Sequence, residues 1–249
     1  MEPRPVISSD ESADAARVLR TLREGELTIL GQLIDASNGN LLCDISHEGH
    51  ELRCIYKPRA GERPLWDFPT GTLSRREVAA YVVSDSLGWN IVPETVWRSG
   101  PFGPGMVQRW IDVDERVDLV GLVRSTDPLL ERISVFDVVI NNADRKGGHL
   151  LPTDTGAVYG IDHGVTFAVD DKLRTLLWQW EGQRIPEGLL AELKTLRAAI
   201  GSGEVGQELQ EHLAASEISA LAGRIDELLR TRRHPSPAED RPAIPWPPF

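Results

Sequence analysis

Downstream of residue 25, apolar positions recur every second residue in three short runs: Leu27-Thr28-Ile29-Leu30-Gly31-Gln32-Leu33-Ile34, then 41–45, then 52–57. Period-two alternation in Val/Ile/Leu/Thr-rich segments predicts strands. Ser37-Asn38-Gly39-Asn40 places an Asn-Gly turn between the first two, the strongest short-range signal for a hairpin. Residues 59–72 are too rich in Gly and Pro for a regular element and predict a long loop. Ser74, with Glu77 three residues on, has capping-box spacing and opens a helix carrying Val78, Tyr81, Val82 and Leu87 that stops at Gly88. Residues 90–97 and 106–111 read as strands, with 99–105 as a hairpin connection rather than a nucleotide loop. From residue 127 the period changes to that of helices, over 129–142, 186–200, 205–213 and 217–232. A short helix over 13–20, capped by Asp10 or Ser12, precedes the first strand, and the Pro-rich residues 234–249 read as extended or disordered.

The expected fold class is therefore α+β and bilobal. Its parts are a lead-in (1–24), a β-rich lobe with one helix (25–111), a helical lobe (112–232) and a tail (233–249).

Candidate chemistry concentrates in two segments. Asn141-Asn142-Ala143-Asp144-Arg145-Lys146-Gly147-Gly148-His149 is a polar, Gly-rich loop after an apolar helix, and Val158-Tyr159-Gly160-Ile161-Asp162-His163-Gly164 delivers an Asp from a short strand into a Gly-containing turn. Phosphoryl transfer needs a carboxylate beside the attacking hydroxyl, a carboxylate on a metal ion and a cation over the phosphates. A kinase signature places a metal-binding residue five positions after the catalytic Asp, followed by a separate Asp-x-Gly. Asp144, His149 and Asp162-His163-Gly164 fall at those spacings, with Lys146 placed to offset charge on the phosphoryl group. Lys57 ends the third strand and Glu77 opens the next helix, the places for a phosphate-binding lysine and its orienting glutamate. Asp137 reads as a structural brace for the loop, and a transition-metal site at His149, Asp162 and His163 is an alternative without a His-x-x-x-His pair to support it.

Tyr56-Lys57-Pro58, Val92-Pro93-Glu94-Thr95-Val96, Met106-Val107-Gln108, Asn142-Ala143-Asp144-Arg145 and Ile161-Asp162-His163-Gly164 resemble, in order, segments of the phosphatidylinositol 3- and 4-kinase-like superfamily, especially type II phosphatidylinositol 4-kinases and small bacterial relatives. The resemblance implies ATP and Mg2+ as cofactors, Lys57 as the ATP lysine, Asp144 as catalytic base and Asp162 as metal ligand. It further implies Gln108, Arg109 and Trp110 as the hinge whose backbone holds adenine, and Ser37, Asn38, Gly39 and Asn40 as the turn over the phosphates. The family has Asn where this chain has His149. Imidazole is a poor magnesium ligand, which puts the second metal position in question.

Charge and composition narrow the acceptor. Of 249 residues, 38 are Asp or Glu against 27 Lys or Arg, a formal charge of −11. No dense basic cluster is present, which argues against nucleic acid as partner and makes a lipid acceptor unattractive. A small hydroxylated metabolite or a protein Ser/Thr fits better. A nucleotide-binding pseudokinase and an AMP transferase on the same fold are the rival readings. Cys43 and Cys54 are expected as buried free thiols, and the absence of an apolar leader or a membrane-length apolar run predicts a soluble cytoplasmic protein.

Overall fold

In the computed structural model, which describes residues 9–33 and 39–249, helix α1 (Ser9–Glu24) leads into strands β1 (Glu26–Gln32), β2 (Leu41–His47) and β3 (His50–Pro58). Helix α2 (Leu73–Leu87) follows, then β4 (Thr95–Gly100) and β5 (Gly103–Arg109). The five strands make one antiparallel sheet in the order β1-β2-β3-β5-β4. The chain divides into two units, Met1–Pro64 with Glu94–Trp110, and Leu65–Pro93 with Ile111–Phe249.

The first unit is the sheet with α1. On β2 the even spacing buries Cys43 and Ile45 and exposes Asp44 and Ser46. With Cys54, Tyr56, Val96 and Val107 they receive Val18 and Leu22 of α1. Cys43 and Cys54 sit opposite each other in the β2–β3 register, both buried and both free thiols. The Arg98 guanidinium donates to the carbonyls of Leu22 (3.1 Å) and Gly25 (2.7 Å), satisfying acceptors that α1 leaves at its C-terminus. Gly105 lets β5 close on the end of β3: a Cβ there would lie 2.4 Å from the Lys57 carbonyl oxygen. The Gly-Pro segment at 99–105 is the β4–β5 hairpin connection, as its composition indicated.

The second unit contains α2, α3 (Leu119–Arg124), α4 (Pro128–Ile140), the short pair β6 (Leu150–Pro152) and β7 (Val158–Gly160), α5 (Glu187–Ser202), α6 (Glu204–Gln210) and α7 (Ala215–Thr231). Helix α2 was expected in the N-terminal lobe. It is buried nearly all round, enclosing polar Ser74, Arg76, Glu77 and Ser84 together with Val78, Ala79, Ala80, Val82 and Val83, and it packs against α5 and α6. Ser74 does not cap it: the helix begins one residue earlier, Ser74 is buried in its first turn, and the cap residue is Thr72. Gly88 ends it in the left-handed region at φ +64°, where a residue without Cβ costs least. Helix α4 is capped by the Asp127 carboxylate, which accepts the Leu129 N–H at 2.8 Å. It buries Leu130, Ile133, Phe136, Val139 and Ile140.

Two segments without regular structure are held by specific contacts. Phe68 is buried and receives the cations of Arg76 and Lys172 at 5.0 and 4.9 Å from its centroid, whereas Trp66 is 97% exposed. Lys172 also pairs with Asp67 at 2.6 Å. The Pro-rich tail is ordered: Trp178 donates its indole N–H to the Ala243 carbonyl at 3.1 Å, and Gly147 donates its backbone N–H to Pro248 at 2.8 Å. The sequence missed this because the tail has no apolar periodicity and is held through its carbonyls. Among the described residues no helix is long and apolar enough to cross a membrane.

Burial after α6 makes a pH-dependent element. His212 has its pKa pushed down to about 4 by burial first and by the nearby Arg75 cation second. The unfolded chain therefore binds a proton near pH 6.5 that the folded chain refuses until about pH 4, and stability falls as the pH drops through that window. Between pH 7 and pH 5 the folding free energy is expected to fall by about 1–2 kcal/mol from this residue, after allowance for partial solvation. His212→Gln should flatten most of that slope in urea titrations at the two pH values. An unchanged slope would contradict the assignment.

Candidate active site

Helix α4 stops because Asn141 turns left-handed at φ +53°. Its side chain then holds the returning chain, donating to the carbonyls of Ala168 (3.0 Å) and Asp170 (2.7 Å) and accepting the Lys172 N–H (2.9 Å). Asn142, fully buried, donates to Asp137 Oδ1 at 2.9 Å and accepts the Asp144 N–H at 3.0 Å. The backbone at Asp144 is thus fixed before its carboxylate does anything.

The centre of the arrangement is Arg145, with no exposed surface. Its Nη2 donates to Asp137 Oδ1 at 2.9 Å and to His163 Nε2 at 2.6 Å, and its Nη1 to the Ile161 carbonyl at 3.2 Å. Because a guanidinium only donates, His163 accepts on Nε2 and carries its ring proton on Nδ1. The His163 ring also meets Phe136 edge-on at 5.7 Å. The second oxygen of Asp137 accepts the Thr175 hydroxyl at 3.0 Å. One buried ion pair therefore ties α4, the loop after it and the turn at 162–163 together. Asp137 has the bracing role read from sequence. Arg145 and His163 were not recognised as its partners, since Asp-Arg-Lys reads as a solvated charged turn.

The reactive groups sit on this frame. Lys146 Nζ lies 3.1 Å from Asp144 Oδ2 and both are half-buried. His149 Nε2 lies 3.4 Å from Asp162 Oδ2. Burial pushes the His149 pKa down, opposed by Asp162 and assisted by Arg145. Its Nδ1 faces the Lys146 N–H at 3.5 Å, which leaves the proton on Nε2, directed at the Asp162 carboxylate. In this tautomer the His149 Nε2–H faces the Asp162 carboxylate. Asp162 itself is left-handed at φ +60°. Glu77 on α2 approaches the same turn: a Cβ at Gly164 would lie 3.8 Å from Glu77 Oε1. Its neighbour Arg76, fully buried and unremarked in the sequence, donates to the Thr166 carbonyl at 2.6 Å and pairs with Glu217 of α7. Since His163 turns Nε2 to Arg145, the alternative transition-metal site at 149, 162 and 163 is not formed.

The remaining expected residues lie in the first unit. Lys57 is half-buried on β3 opposite Met106. Ser37 and Asn38 lie outside the described residues. Of the rest of that turn, Gly39 donates to the Gly61 carbonyl at 3.4 Å, and the Asn40 carbonyl accepts the Leu33 N–H at 3.0 Å. The hinge expectation needs correction. Gln108 spends its side chain on the Thr95 hydroxyl (2.8 Å), and the backbone N–H groups of Arg109 and Trp110 donate to Glu94 and Arg53 carbonyls, both at 2.9 Å. Those two donors serve the sheet and not an adenine ring.

No protein-family model matches the chain. Similar folds are found among solved kinases. They include a Helicobacter pylori proinflammatory kinase, CtkA (TM-score 0.52, 12% identity, 85% of this chain and 94% of that one). Another is the Golgi casein kinase solved with Mn/ADP bound (TM-score 0.58, 13% identity, 90% of this chain and 76% of that one). At such identities the likeness establishes a kinase-like α+β fold without singling out the phosphatidylinositol-kinase branch. In sequence the chain is 44% identical to Protein Rv2133c of Mycobacterium tuberculosis (strain ATCC 25618 / H37Rv), over 92% of this chain and 94% of that protein. With near-complete coverage of both partners at that identity, the chain belongs to the family of Rv2133c.

Proposed function

We propose that the chain is an ATP-dependent phosphotransferase acting on a hydroxyl acceptor. The observation that carries this reading is the buried Asp137–Arg145–His163 frame, which presents Asp144 beside Lys146 and Asp162 beside His149. Asp144 is assigned to accept the acceptor's proton as its oxygen attacks the γ-phosphorus and the bond to ADP breaks. Lys146 offsets charge on the phosphoryl oxygens, with positioning and electrostatics supplying the rate. Lys57 is assigned to the nucleotide phosphates and the turn at 37–40 to covering them, while Glu77, a carboxylate, is assigned an orienting role. Adenine is left to acceptors of the 108–110 stretch or donors beyond it.

A magnesium ion, when bound, would neutralise the phosphates. Magnesium takes oxygen ligands, commonly one or two carboxylates with the rest from phosphate and water. The Asp162 side chain, 49% exposed, suits that role. His149 holds the carboxylate in orientation through its Nε2–H. The acceptor is assigned to small hydroxylated metabolites or protein Ser/Thr in preference to inositol lipids, on the ground of the net charge of −11.

Mass spectrometry of the nucleotide after incubation with ATP and magnesium tests the reaction type. ADP formed with magnesium and abolished by chelator is the expected result. AMP with pyrophosphate would move the chain to nucleotidyl transfer, and tight ATP binding with no product would make it a pseudokinase.

A further inference from the structure

Residues 243–249 lie along the loop that carries Asp144 and along residues 175–178. The Ala243 carbonyl accepts two hydrogen bonds, from the Thr175 N–H and the Trp178 indole N–H, each at 3.1 Å. The Pro248 carbonyl accepts the Gly147 N–H at 2.8 Å. The Phe249 ring packs against Gly147, where a Cβ would come within 2.1 Å of its Cε1. Gly147 follows Lys146 directly, and Thr175 is bonded to the same Asp137 that anchors Arg145. The segment therefore rests on the catalytic loop itself.

Its mode of attachment is that of a ligand. All three of these hydrogen bonds end on main-chain carbonyls of the segment, and the side chains of Ile244, Trp246 and Phe249 are 46%, 87% and 50% exposed. A core element would bury those groups; of residues 243–249 only Pro245 is buried. Prolines at 242, 245, 247 and 248 remove N–H donors and restrict the backbone. Such a segment loses little entropy when it docks, which is how proline-rich peptides are bound in aromatic-lined grooves.

We propose that Gly147 and residues 175–178 form a groove for a proline-rich peptide with an aromatic residue over Gly147, and that residues 243–249 fill it as a displaceable strap closing the acceptor side of Asp144. The groove is inferred from contacts alone; the closing of the acceptor side rests on the phosphotransferase reading.

The test uses the full chain and a fluorescein-labelled peptide of residues 243–249, read by anisotropy. The strap competes at the high effective concentration of a tethered ligand, so the wild type should bind the peptide weakly. Phe249→Ala, a change at a half-exposed ring, should bind it at least tenfold more tightly. Adding Gly147→Ala, whose Cβ takes the ring's place, should abolish that gain. In hydrogen exchange, Phe249→Ala should speed the Gly147 amide at least tenfold at an unchanged melting temperature. Equal peptide binding by wild type and Phe249→Ala, or a Gly147 amide that exchanges only on global unfolding, would overturn the proposal by making the segment a fixed part of the fold. Peptide binding needs no nucleotide, so a chain that binds peptide but not ATP would sink the phosphotransferase reading and leave the groove. If ATP is turned over, Phe249→Ala should raise the rate at least threefold and excess peptide should reverse it. A rate insensitive to both would refute closure of the acceptor side.

Discussion

Asp137→Ala is expected to remove about 3–5 kcal/mol of stability, the usual cost of stranding one member of a buried ion pair. Arg145 has no solvent access, and the Asp137 carboxylate is the counter-charge bonded to its guanidinium. Truncation also leaves the Asn142 amide and Thr175 hydroxyl without their acceptor. Urea denaturation measures the loss. The double change Asp137→Leu with Arg145→Met should recover much of it, because replacing both partners by apolar groups of similar size removes the desolvation cost together with the attraction. A single-variant loss below about 1 kcal/mol would mean that the pair does not hold the loop.

The second large effect is on chemistry. Asp144→Asn keeps the shape of the side chain and its contact with Lys146 but cannot take up a proton. ADP formation should fall about 10²- to 10⁴-fold, the range for loss of a positioned general base. ATP affinity should stay within about threefold, since Asp144 is assigned to the acceptor and not to the nucleotide. A fall in binding equal to the fall in turnover would move Asp144 to the nucleotide side.

Much of this architecture is legible in the order of residues. Period-two runs at 27–34, 41–45 and 52–57 mark β1 to β3, with alternate residues buried on β2 and on the second half of β3 while β1 stays almost wholly exposed. The helical period after residue 127 became α4 to α7. Spacing singles out Asp144, Lys146, His149 and Asp162, and the structure pairs Asp144 with Lys146 and Asp162 with His149. Harder to read was anything decided by which charge is buried. Arg145 and Arg76 look like surface arginines in sequence, yet both are almost wholly enclosed and organise the loops around them. Period alone could not tell that α2, whose buried residues include Ser74, Arg76, Glu77 and Ser84, would join the helical unit. Nor could residue type say that the N–H groups of Arg109 and Trp110 are consumed by β4 and β3 neighbours. The tail was misread for a related reason: backbone carbonyls dock it, and every residue carries one.

Calorimetric titration of ATP into the wild type and Asp162→Ala, each with and without magnesium, tests the phosphotransferase assignment most directly. The account predicts that the wild type binds ATP more tightly with magnesium than without, and that Asp162→Ala loses this dependence while remaining folded. Nucleotide binding absent at millimolar ATP in the wild type, or a magnesium dependence undiminished in Asp162→Ala, would contradict it.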